Sequence, residues 1–246
     1  MNLLQIVSDI EKIDGDAPER LAYYSRRNWL KMGKRVSAAV AAPTVVAATL
    51  NDAYAQSSGA VAALNFALTL EYLEDEFYRT AIGTSGLIPA TDQAIINQIS
   101  KHEVAHVALL KGALGTAAVA KPTFKFGTAF GNYQTFLATA QAFEDIGVRA
   151  YKGQAGALLG TDLLTVALQI HSVEARHAAE IRRVRGQRGW VTDGDTGAIY
   201  AGEEVATQAG VDLAMLTGKS AVRARESFDE PLTREQVLAI AAPYLA

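Results

Sequence analysis

The chain contains no cysteine. Disulfides, thiolate metal sites and cysteine nucleophiles are therefore excluded, and the redox compartment is left open. Aromatic residues make up only 8% and there are six prolines in 246 residues, while alanine is abundant. That balance favours helices over a β-sandwich. Charge of one sign is also lacking. The net charge is −3, and no basic stripe exists beyond short runs such as Arg182, Arg183 and Arg185, so nucleic acid is not an expected partner. Once the N-terminus is set aside, no apolar run reaches the about 18 residues of a membrane span, and the mature chain is not expected to cross a bilayer. Half of the residues are hydrophobic, enough for one sizeable core with an extension.

Residues 1–55 read as an export signal. Ser25-Arg26-Arg27-Asn28-Trp29-Leu30-Lys31 resembles the twin-arginine translocation motif. A weakly apolar, alanine-rich run follows from Val36 to Leu50, and Ala53-Tyr54-Ala55 fits a small-x-small cleavage site before Gln56. The expectation is export to the periplasm in folded form. The alternative is an attached amphipathic arm on a cytoplasmic protein.

Residues 56–186 show helical periodicity. The first helix is expected over about Ala60–Ala81, with Leu64, Ala67, Leu68 and Leu70 inward and Glu74, Glu76 and Arg79 outward. Gly83 to Gly86 and Pro89 end it, and Thr91 or Asp92 can cap a second helix that stops at Gly115. A third helix is expected from Tyr133 to about Ala157. A fourth runs from near Asp162, a candidate cap, to about Val184, with arginines at its C-terminal end. Helices of about 20 residues are about 30 Å long. Two short connections and one longer one suit two antiparallel hairpins joined by a crossover. An internal repeat supports this pairing: Leu64, Glu71 and Tyr78 align with Leu137, Glu144 and Tyr151, while Gln98, Ile99, Glu103 and His106 align with Gln169, Ile170, Glu174 and His177. Residues 187–246 are glycine-rich, with a last short helix expected from Arg234 to Ala242, and read as an extension wrapping the bundle.

Two Glu-x-x-His motifs stand out, Glu103–His106 and Glu174–His177. Residues three apart share a helix face, so each pair points one way. Each preceding helix carries a lone glutamate in an apolar stripe, Glu71 and Glu144. Glu, Glu-x-x-His, Glu, Glu-x-x-His is the ligand order of dinuclear carboxylate bundles. Buried carboxylates are costly alone, and two divalent cations would cancel four negative charges. Oxygen and imidazole donors suit iron or manganese, allow zinc, and disfavour calcium.

At these residues the chain resembles the ferritin-like superfamily, rubrerythrin-type proteins included, and looks most like its exported ferritin-like domain proteins. The resemblance implies an all-α, ferritin-like four-helix bundle. It also implies redox chemistry with dioxygen or peroxide, of ferroxidase, peroxidase or catalase type, at metal ligands Glu71, Glu103, His106, Glu144, Glu174 and His177. The rival is a non-catalytic metal-binding or stress-protective protein. A homodimer is left open, and a storage cage is disfavoured by the export signal and the long tail.

Around the motifs, Asp75 is read either as an acceptor for a ligand histidine or as a solvated carboxylate. Tyr78 and Tyr151 are read as core tyrosines, with hydrogen bonding to the site as the other option. His102 is expected at the surface, His171 facing inward, and Gln141 as a polar core neighbour.

Overall fold

The computed structural model describes residues 58–203, 207–208 and 211–246; the signal-like segment 1–55 lies outside them. Four long helices dominate: α1 (Ser58–Gly83), α2 (Gln93–Leu114), α3 (Tyr133–Gln154) and α4 (Leu163–Val184). The periodic apolar stripes make them amphipathic, and each buries its stripe against the others. α1 pairs with α2 and α3 with α4, while α1 also meets α3 across the bundle. The expected hairpins and the all-helical class are therefore present. No described helix is long and apolar enough to cross a membrane.

The helix ends follow from local chemistry, with two departures. Asn132 caps α3 by accepting from Thr135 N–H at 2.9 Å. Gly115 ends α2 with φ +55°, a conformation L side chains avoid. Asp92 stands at the start of α2 but makes no side-chain cap, because its carboxylate accepts the Tyr133 hydroxyl at 2.8 Å. Asp162 likewise makes no side-chain cap on α4.

The interior holds two apolar clusters. On α2 and α4, the polar residues of the candidate site lie between them. One cluster centres on Phe77, which stacks on Phe136 (centroids 5.3 Å apart) and meets Phe143 edge-on at 4.9 Å. Such aromatic pairs contribute about 0.5–1.5 kcal/mol each beyond their area. The other cluster is aliphatic, built from Ala60, Ala63, Leu64, Leu68, Leu110, Leu163 and neighbours. The repeat is broken between the two. The twins of Phe77 and Phe136 are Ala150 and Ala63, and these line an apolar pocket of about 10 Å³ with Leu64, Ala67 and Tyr151.

The crossover and the tail hold each other. Lys125 N–H donates to Tyr244 O at 2.9 Å and Ala246 N–H to Thr123 O at 3.0 Å. The tail adds a two-residue antiparallel ribbon, β1 (Thr207–Gln208) with β2 (Val211–Asp212), which the sequence reading missed. Two single-turn helices, α5 (Leu213–Thr217) and α6 (Ala221–Arg225), were missed as well. At that length no hydrophobic period can form. The last helix, α7 (Arg234–Ala241), carries a full capping box between Thr233 and Gln236.

Arg149 of α3 anchors the tail. It is 1% exposed, donates to the carbonyls of Glu230 (2.6 Å), Ile199 and Ala201, and pairs with Glu203 at 3.3 Å. Leu232 N–H donates back to Arg149 O at 3.2 Å. The tail backbone lies so close to α3 that a Cβ at Gly153 would sit 2.0 Å from Leu232 O. Glycine to alanine inside a helix ordinarily stabilises by about 1 kcal/mol. Here Gly153→Ala is expected to destabilise by about 1–3 kcal/mol through forced displacement of the tail. A higher melting temperature for that variant would show the close approach to be wrong.

Candidate metal centre

The six sequence-predicted residues converge. Glu71, Glu103, Glu144 and Glu174 are each 0% exposed, with His106 at 7% and His177 at 4%. Their donor atoms form two overlapping groups, Glu71–Glu103–His106–Glu174 and Glu103–Glu144–Glu174–His177. Within each group the ligand atoms lie within 4.8 Å of one another. Glu103 and Glu174 belong to both groups, Glu71 and Glu144 to one each. Glu103 shows why: its Oε2 is 3.1 Å from His106 Nδ1 and its Oε1 is 2.9 Å from His177 Nδ1. Glu174 Oε1 lies 3.1 Å from His106 Nδ1.

The donor set fits divalent cations. Glu174 Oε2 is buried without a hydrogen-bond partner, while Glu174 Oε1 and Glu103 Oε1 each face only a histidine Nδ1. A buried carboxylate oxygen without a donor is costly, and a cation would relieve it. All the donors are carboxylate oxygen or imidazole nitrogen, the hard-to-intermediate set that suits iron, manganese or zinc.

The two tyrosines are not plain core residues, which corrects the preferred reading. Tyr151 donates to Glu71 Oε1 at 2.5 Å, and Tyr78 donates to Glu144 Oε1. The bonds are reciprocal because α1 and α3 run antiparallel, each tyrosine two turns beyond one glutamate and level with the other. His102 is not a surface residue either; it is half-buried and stacks on His177, rings 5.1 Å apart and 8° from parallel. Its neighbour Glu103 points into the bundle, so the packing of α2 on α4 covers one edge of His102 as well. Asp75 fits neither reading. It is buried and paired with Arg79 at 2.5 Å and Lys121 at 3.4 Å, not with a histidine of the site. His171 meets Val148 O at 3.0 Å and stays out of the cluster. Gln141 is buried as expected, bonded to Asp195, Tyr200 and Arg185.

Sequence reasoning missed Glu74. It was placed on the outer face of its helix, yet it is 2% exposed. A Cβ built on Gly147 would meet Glu74 Oε1 at 3.3 Å and Glu174 Oε2 at 3.0 Å, so both carboxylates crowd onto that glycine. Gly147 is the twin of Glu74 in the repeat. Between antiparallel helices the two positions face each other, and only one can carry a side chain. The signal was present as a broken alternation: a carboxylate on one strand of the repeat and a glycine on the other.

The metal-free electrostatics reflect this crowding. Burial pushes Glu71 up to about 7, against the lowering pull of His106. Burial, then the charge of Glu174, raises Glu74 well above the ordinary range. Burial, then the charge of Glu103, does the same to Glu174. Glu103 alone goes the other way: burial would raise it, but hydrogen bonds from His106 and His177 bring it down to about 2. Burial opposes charge on His177, yet the Glu144 charge and the bonds to Glu103 and Glu144 raise it to about 11.

The sign of the pH dependence follows. Glu71, Glu74 and Glu174 bind protons more tightly folded than unfolded. Their stabilising contribution is complete below about 4.5 and is lost as pH rises toward and past 7. His177 adds loss between 6.5 and about 11, whereas Glu103 changes only below 4.5. The metal-free chain is therefore expected to melt at progressively lower temperature from pH 5 to pH 8. Glu74→Gln should flatten that slope and raise the metal-free melting temperature at pH 8. A flat wild-type profile, or a lower melting temperature for the variant at pH 8, would contradict this electrostatic picture.

No match to a curated protein was found. Residues 59–187, slightly more than half of the chain, match the profile of the ferritin-like domain. The match spans all four long helices and every residue of the cluster. With that coverage, and with a buried acid and histidine cluster that could hold metal at its centre, the chain belongs to the ferritin-like domain family.

Proposed function

We propose that the chain is a dinuclear iron or manganese protein acting on dioxygen or peroxide. Glu71, Glu103, His106, Glu144, Glu174 and His177 are its ligands. The observation that carries the reading is the position of Glu103, with one oxygen on each histidine, 3.1 Å from His106 and 2.9 Å from His177. A carboxylate so placed would help hold both ions. When bound, such a pair would supply redox chemistry toward an oxygen substrate. The residues of this chain would do the rest. Glu71 and Glu144 would each hold one ion, and Tyr151 and Tyr78 would hold those glutamates in place. The two apolar clusters would keep bulk water from the site. The twin-arginine-like segment supports a periplasmic location with metals loaded before export, and N-terminal sequencing of the native protein would test it.

Two experiments decide the matter. Elemental analysis of purified protein is expected to give two metal equivalents. Glu103→Ala or Glu174→Ala should lose both, since each residue serves both groups, and Glu71→Ala should lose mainly one. Unchanged content in all three variants would refute the ligand assignment. Metal-free protein given Fe(II), or Mn(II) with peroxide, is expected to speed ferrous oxidation or peroxide loss. Two bound metals with neither activity would favour a metal-binding, stress-protective role.

A further inference from the structure

His177 has two ring nitrogens with different neighbours. Nδ1 faces Glu103 at 2.9 Å and Glu144 at 3.2 Å, inside the cluster. Nε2 faces His102 Nδ1 at 2.8 Å, and the far side of His102, its Nε2, meets the side-chain amide of exposed Gln98 at 2.8 Å. A chain of three polar groups thus runs from the site to the surface, through α4 and α2.

The direction of that chain is set by elementary hydrogen-bond bookkeeping. For Nδ1 of His177 to offer a lone pair to a metal, its proton must sit on Nε2. That N–H can then only donate, so His102 must accept through Nδ1 and carry its own proton on Nε2. Gln98 presents its amide nitrogen to His102 Nε2, so this tautomer has the amide turned over to let its oxygen accept the N–H, an exchange between two ends of equal shape.

The internal repeat shows that this arrangement is not generic to the fold. Gln98 has a twin in Gln169, Glu103 in Glu174 and His106 in His177, but the twin of His102 is Val173. Valine has no polar atom to offer. The Nδ1 of the other histidine of the site, His106, faces carboxylates just as that of His177 does, with Glu71, Glu103 and Glu174 each at 3.1 Å, so the difference between the two lies at the outer position held by His102 or Val173.

We propose that His102 is a positioning residue for one half of the metal centre. It accepts the Nε2–H of His177, locks the tautomer that exposes Nδ1, and makes the Glu144–His177 position differ from the Glu71–His106 position. The inference rests on the metal-site reading above. Loss of an outer partner of a ligand histidine lowers metal affinity by about 10–100-fold. Here the loss falls on one ion of the two.

The test is stepwise titration of the full metal-free chain with Zn(II) against a chromophoric chelator, in wild type and in His102→Val, which installs the twin's own residue. The expected result is one binding step weakened by about 10–100-fold and the other left close to wild type. His102→Gln, which restores an acceptor, should recover most of the loss. A purely structural role would weaken both steps together, and that outcome, like two unchanged steps, overturns the proposal. Nitrogen-15 NMR of the histidine rings gives a second readout, independent of affinity. In Zn(II)-loaded protein His102 should carry its proton on Nε2, and finding it on Nδ1 overturns the proposal. Wild-type protein that binds no Zn(II) would bring down the site reading itself and this inference with it. Two wild-type equivalents with an indifferent His102→Val would remove this inference alone.

Discussion

Five carboxylates buried at the centre of a helical barrel are the constraint on which the rest depends. Glu71, Glu74, Glu103, Glu144 and Glu174 are each no more than 2% exposed. In an apolar interior each would have to take up a proton or find a cation. Two histidines and two tyrosines supply only part of the compensation, and Glu174 keeps its Oε2 without a hydrogen-bond donor. The apolar clusters above and below exclude water, which makes the imbalance more costly and makes a bound cation the more strongly held. The bundle thus trades stability as a bare chain for the capacity to hold charge, a trade that is reasonable only if the charge is put to use.

Much of this was legible in the sequence, for identifiable reasons. The four long helices announce themselves through period and punctuation, and their observed bounds lie within about three residues of the expected ones. The convergence of six residues was legible because a doubled Glu-x-x-His pattern, each preceded by a lone glutamate, is improbable without a shared centre. Glu74 was not legible, since a carboxylate flanked by Asp75 and Glu76 looks like a solvated face. Only the facing Gly147 shows where its side chain goes, and the two meet through tertiary packing. His102 was hidden for a related reason: a helix pair decides whether a residue beside the stripe is covered, and the stripe itself does not.

The tail illustrates a different limit. Its ribbon and short helices carry no periodicity, and its later part is held to the bundle both by apolar side chains, with Leu232 and Val237 in the aromatic cluster and Tyr244 edge-on against Phe143, and by polar bonds. Arg149 spends its donors on three backbone carbonyls, and Arg182 grips Asp145 through two bonds of 2.5 and 2.7 Å, with Tyr200 of the tail adding a third bond to Asp145 at 2.6 Å. Asp145 follows the site glutamate Glu144 directly, so the tail is wired to the helix that carries the centre. Nothing in the one-dimensional pattern marks an arginine in an apolar stripe as a clasp for a segment 50 to 80 residues away.

The broken repeat has one more consequence. Where one end of the barrel packs phenylalanine on phenylalanine, the equivalent positions at the other end hold Ala63 and Ala150 and leave a gap under Tyr151. Dispersion forces scale with contact, so the two ends of the barrel are unequally packed. The looser packing lies beside Tyr151, whose hydroxyl bonds Glu71, while Tyr78, which bonds Glu144, is backed by Phe77 and Phe136.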